Sequence, residues 1–245
     1  MTAIDDLVHI YELRFEELSS SRIRNCHYSV VCKYCRHILV DSKLGKNQIL
    51  ENFIESQGKI EILNFVAPNY IRNANLGISY EKTYAYKKYL FYFAQFWDHK
   101  NHLNLIKAYN LIEDPKPELV LVGAPKNGYD RTITLINNLG TQGRVQILGY
   151  VSDEELMSLY RESPTVIFCP FCGPTNIPPI EAISLNLPLL CSSAHAMRDQ
   201  CEDAALYFDP GSQVKIAAAI SRLLNEKGLR DTSVSNILRV KKSFR

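Results

Sequence analysis

The chain has 245 residues, 46% of them apolar and 22% charged, with a formal net charge of +2. That length holds one large domain or two small ones with ample core, and the composition is that of an ordinary globular protein. Basic residues are spread along the chain rather than blocked, which argues against a nucleic-acid partner, and no run of about 18 apolar residues exists to span a membrane.

Peripheral membrane contact stays open. Met1 to Asp6 lacks the apolar stretch of an export signal, so the seven cysteines read as reduced thiols of a cytoplasmic protein.

In chain order, residues 19–36 begin polar and turn helical, 38–41 is a short apolar strand, 43–57 alternates as a helix, and 60–65 is a strand closed by Pro68. Residues 1–68 therefore read as the tail of an α/β domain. Residues 69–86, rich in Asn and Tyr, read as a linker. From 87 to 228 the rhythm is regular. Strands are expected at 89–93, 119–122, 145–148, 165–168, 187–191 and 205–208. Helices are expected at 101–113, 131–139, 152–161, from 178, weakly at 196–201, and at 212–225. Ser152 and Glu155 have capping-box spacing. Residues 229–245 read as a C-terminal tail. Six short apolar strands alternating with helices predict a doubly wound, Rossmann-like parallel sheet, whose ligands bind beyond the strand C-termini.

The most informative stretch is Gly173-Pro174-Thr175-Asn176-Ile177-Pro178-Pro179-Ile180-Glu181. It lies between two apolar strands. Thr175 or Asn176 is placed to cap a helix with Pro178 and Pro179 in its first turn, and Glu181 is expected within that turn. Such a helix start favours an anion, and a carboxylate beside it accepts hydrogen bonds from sugar hydroxyls. Diphosphate plus ribose is a nucleotide sugar. The plainer alternative is a carboxylate favoured only by the helix dipole.

Residues 89–225 resemble the nucleotide-sugar-binding half of a glycosyltransferase family 4 enzyme with the two-domain B-type fold. The family pattern carries two glutamates, the second at Glu181; the first falls on Gly173. An Arg/Lys pair after the first strand of this half falls on Gln95 and Lys100. Leu148-Gly149-Tyr150-Val151-Ser152, with Glu155 and Tyr160 after it, is the third mark. More weakly, Asp6-Leu7-Val8-His9 and Val40 to Lys46 resemble the last third of the acceptor-side domain. A catalytic-region histidine of the family would fall at Asp5, and the first acceptor-side strands are missing.

The resemblance implies a hexosyltransferase acting on a nucleotide diphosphate sugar and a hydroxyl acceptor with retention, in polysaccharide or glycoconjugate synthesis. It implies neither a metal nor a cofactor. Lys100 and Glu181 would be the catalytic pair, Lys100 on the leaving phosphate and Glu181 on the ribose. Gln95, Gly149, Tyr150, Gly173, Thr175, Asn176 and Ile177 would complete the donor site. The last three would act chiefly through backbone N–H groups. Gly149 and Tyr150 would flank the nucleobase, though an ordinary strand-to-helix turn accounts for them equally. Lys100 also reads as a solvated lysine, and His99 is a further candidate for the leaving group.

Two readings compete. One is a donor-binding fragment with impaired turnover, favoured by Gln95, Asp5 and the missing strands. The other is an epimerase or phosphorylase on the same fold. The pairs Cys32/Cys35 and Cys169/Cys172 have zinc-ligand spacing, but they are expected on different domains and read as inert thiols.

Overall fold

The computed structural model describes the chain except residues 5, 16–17, 73–88, 174–175 and 242–245. Two parallel sheets organise it. The smaller has the order β1-β2-β3, built from Thr2–Ala3, Ile38–Val40 and Ile60–Ile62. Around it lie α1 (Val8–Tyr11), α2 (Leu18–Tyr34) and α3 (Lys43–Asn52). Ile4, Leu7, Ile38, Val40, Ile49, Phe53 and Ile60 form its core. Strand β1 was not foreseen, because two residues give no period. The helix read over 43–57 stops at Asn52, followed by a 3₁₀ turn over Ile54–Ser56. The strand read over 60–65 ends at Ile62, and Leu63, Phe65 and Val66 are exposed. The linker opens with a single helical turn, α4 (Asn69–Arg72). Its remainder from residue 73 lies outside the described residues.

The larger sheet has the order β6-β5-β4-β7-β8-β9, all neighbours parallel. Its strands are Tyr89–Phe93, Glu118–Val122, Val145–Gly149, Val166–Phe168, Leu189–Ser192 and Ala205–Phe208, numbered β4 to β9 in chain order. The three central strands are almost wholly buried, as expected of a sheet covered on both faces. The helices are α5 (His102–Asn110), α6 (Tyr129–Asn138), α7 (Asp153–Glu162), α8 (Ile177–Ser184), α9 (Met197–Cys201), α10 (Gln213–Asn225) and α11 (Leu229–Val240). The capping box of α7 forms in both directions: Ser152 Oγ accepts from the Glu155 amide, and Glu155 Oε2 from the Ser152 amide. Helix α11 occupies the stretch read as a tail. It buries Val234, Ile237 and Val240, a period that the polar composition of 229–240 masks.

Strand order reverses between β4 and β7, so the crevice at their C-terminal ends is the switch point of the sheet. Gly123, just past β5, has φ +153°, and a Cβ there would lie 2.1 Å from the Ala94 carbonyl oxygen. Only glycine lets the chain after β5 run so close to the chain after β4.

Candidate active site

The loops after β4 and β7 meet at the switch point. The Phe171 amide donates to the His99 carbonyl at 2.8 Å, and Asn101 Nδ2 donates to Cys169 Sγ at 3.4 Å. Asn101 is buried with φ +64°. Its side chain also donates to the Pro210 carbonyl at 2.8 Å, and a 3₁₀ turn over Asp98–Lys100 precedes it. That turn directs Lys100 into the crevice.

Lys100 Nζ donates to Asn176 Oδ1 at 2.9 Å and lies 5.7 Å from the centre of the Phe168 ring. Burial disfavours the ammonium and lowers its pKa to about 8, partly offset by the acidic field of Cys172 and Asp6. Gly173 adjoins this pair. It has φ +150°, and a Cβ there would sit 3.2 Å from Asn176 Oδ1 and 3.4 Å from Lys100 Nζ. A Cβ would thus touch the pair without displacing it by much, and the stronger constraint holding this position to glycine is its positive φ.

Asn176 is the N-cap of α8, but its side chain does not cap. It serves Lys100 instead, and its Nδ2 donates to Met197 Sδ at 3.6 Å. Gln200 from α9 clamps its backbone on both sides. The Asn176 amide donates to Gln200 Oε1 at 3.2 Å, and Gln200 Nε2 donates to the Asn176 carbonyl at 2.7 Å. Among the described residues the expected cradle of main-chain amides is therefore thin. The Asn176 N–H is committed, Pro178 and Pro179 have none, and Ile177 carries the one remaining N–H of the first turn. Thr175 lies outside the described residues. The positive charge of the crevice comes chiefly from the Lys100 side chain. Gln200 carried no sequence signal, because it arrives from an element that only folding brings near.

Glu181 departs furthest from expectation. It is the fifth residue of α8, just past the first turn in which the sequence reading placed it, and is 1% exposed. Tyr160 on α7 donates to its Oε2 at 2.6 Å, and Tyr70 on α4 makes a short hydrogen bond to its Oε1. Burial raises the carboxyl pKa, and the two phenol hydrogen bonds oppose that rise. The carboxylate thus ties the start of the linker to the large sheet. Tyr70 gave no signal in the sequence.

Of the remaining candidates, Gln95, Gly149 and Tyr150 are peripheral to this cluster, and His99 adjoins it. Gln95 is exposed, and its Oε1 accepts from Trp97 Nε1 at 2.9 Å. Gly149 has φ +72° with open space around it, and Tyr150 is 85% exposed. Burial and the Lys100 charge lower the His99 pKa to about 4, which leaves a neutral imidazole.

The N-terminal part closes over the same crevice. Phe15 stacks on Phe171 at 5.6 Å and meets His99 edge-on at 6.1 Å. The Arg14 guanidinium lies 4.6 Å from both Phe15 and Phe171 ring centres. Glu12 pairs with Arg14 at 3.0 Å and with His195 at 3.4 Å. A small opening between the halves is lined by Asp6, Asp41, Ser42, Gly173 and His195. Among the described residues no cluster of His, Cys, Asp or Glu is arranged to hold a metal, and all seven cysteines are free thiols.

Comparison with known proteins agrees with this architecture. The chain is 27% identical over 163 residues to "O-antigen chain mannosyltransferase B" of Escherichia coli, covering 65% of this chain and 43% of that protein. It is 24% identical over 192 residues to "O-antigen chain mannosyltransferase RfbU" of Salmonella typhimurium, covering 78% and 52%. It spans about half the length of these curated relatives. The Anabaena Alr3699/HepE structure in complex with UDP and glucose superposes with a TM-score of 0.75 at 17% identity, covering 98% of this chain and 66% of that one, a likeness of fold. The family described as glycosyl transferases group 1 matches residues 81–238, which include every strand of the large sheet and both Lys100 and Glu181, and the chain belongs to that family.

Proposed function

We propose that this chain serves the transfer of a hexosyl group from a nucleotide diphosphate sugar to a hydroxyl acceptor, with retention, in polysaccharide or glycoconjugate synthesis. The observation that carries the reading is Lys100, a cation drawn into the switch-point crevice beside the N-terminus of α8. As the glycosidic bond breaks, negative charge grows on the leaving diphosphate. A pre-positioned ammonium and the positive end of a helix stabilise that charge more than they stabilise the ground state. The departing phosphate oxygens would take the acceptor proton on the same face. Ile177 would add its N–H, and Glu181 would hold the ribose hydroxyls. The reading needs neither metal nor cofactor, because Lys100 supplies the cation.

The relatives named as mannosyltransferases make a mannosyl donor the first to try. No helix among the described residues is long and apolar enough to cross a membrane. The free thiols support a cytoplasmic site of action, and peripheral membrane contact remains compatible with it.

A second reading, a donor-binding module with impaired turnover, is favoured by Gly173 and Gln95. Each lacks the charge that the family pattern carries at its position. A thermal-shift panel of UDP, GDP and ADP sugars on wild type, Lys100→Ala and Glu181→Ala tests both. Stabilisation by one donor, lost in Lys100→Ala, is the expected result. Donor stabilisation without transfer to any sugar acceptor favours the module, and equal shifts in wild type and Lys100→Ala reject the site.

A further inference from the structure

Glu181 already has a hydroxyl donor on each carboxylate oxygen, and the two donors differ in how firmly they are held. Tyr160 is fully buried, with its ring edge-on to Phe91 at 5.0 Å. It cannot leave without opening the core. Tyr70 is only partly buried and stands on a single helical turn. That turn is fixed by its neighbour: Ile71 is 1% exposed and packs into the large core. The backbone of α4 is therefore anchored, while the Tyr70 ring packs against the edge of the large core and is only partly buried. With the carboxylate itself 1% exposed, any incoming hydroxyl reaches it only if one phenol moves, and the phenol free to move is Tyr70.

We propose that Tyr70 is a displaceable stand-in for a ligand hydroxyl, holding the Glu181 carboxylate until a vicinal diol takes its place. This rests on the reading that Glu181 receives the ribose. A phenol O–H and a ribose O–H offer a carboxylate the same charge-assisted hydrogen bond. While the diol is away, Tyr70 spares the buried carboxylate the cost of an unmet partner. The exchange makes the net gain from the ribose small, since one hydrogen bond replaces another. Apparent affinity is then the intrinsic affinity multiplied by the fraction of molecules in which Tyr70 has swung out. Tyr70 thus sets donor affinity without touching the reacting atoms, and it couples the start of the linker to occupancy of the site.

The test compares binding of UDP and GDP with binding of their 2′,3′-dideoxy counterparts, by calorimetry, to the full chain. In Tyr70→Phe the ribose ligands are expected to bind about five- to tenfold tighter, while the dideoxy ligands bind as they do to wild type. Glu181→Gln should weaken the ribose ligands toward the dideoxy value. If Tyr70→Phe leaves ribose binding unchanged or weaker while Glu181→Gln still weakens it, the displacement is overturned and the ribose role of Glu181 stands. If ribose and dideoxy ligands bind wild type and Glu181→Gln alike, the ribose role itself falls.

Discussion

The two sheets use the same strand–helix alphabet at different depths. In the large one, β4, β7 and β8 are sealed on both faces, and one core cluster takes in residues from Ala67 to Val240. In the small one, β3 buries Ile60 and exposes Glu61 and Ile62, and α2 buries only Cys32 along its whole length. Leu18, Ile23, Val30 and Tyr34 stand exposed on α2. The thick half positions the crevice, and the thin half covers it through Glu12, Arg14 and Phe15. Rigidity is thus concentrated under the loops that hold Lys100 and Asn176, while the cover is held by a few surface contacts of modest strength.

Three measurements would break or sharpen this contrast. The largest effect is expected from Gly123→Ala, which sets a Cβ against the Ala94 carbonyl. Chemical unfolding should show a loss of at least about 3 kcal/mol, confined to the large sheet. Wild-type stability in that variant would remove the close approach of the β4 and β5 loops from the account. Next, matched truncations probe depth. Leu90→Ala is expected to cost about 3–4 kcal/mol and Leu7→Ala about 2, because a thin core collapses more readily into the space left. Equal costs would mean that the small sheet is as well packed as the large one.

The third effect is in pH. Lys100 loses its proton near pH 8 in the folded chain, against an ordinary value of 10.5. Between those values the unfolded chain binds the extra proton, so stability of the large half should rise with pH through that window. Diphosphate binding should weaken over the same window, because the neutral amine no longer attracts the anion. In Lys100→Met both dependences should flatten. A wild-type profile retained in that variant would assign the titration elsewhere.

Much of the fold was legible because its signals are local. The six apolar runs of the large sheet, the Ser152 capping box and the prolines opening α8 all depend on neighbours within a few residues. Helix α11 escaped because its buried positions are few among polar ones. β1 escaped because two residues carry no period. In the site, Lys100, Gly173 and Asn176 were readable from motif spacing and do converge. Their roles toward one another were not: asparagine as the partner of the lysine rather than as a cap appears only once two loops meet.

The order of strands and helices and the switch-point crevice follow from residue pattern, because periodicity and turn chemistry act over short stretches of chain; the cation within the crevice was pointed to by family resemblance. What occupies Glu181 was decided by folding alone. A buried carboxylate must find donors wherever the packed chain offers them, and here they come from Tyr160 and Tyr70, 21 and 111 residues away.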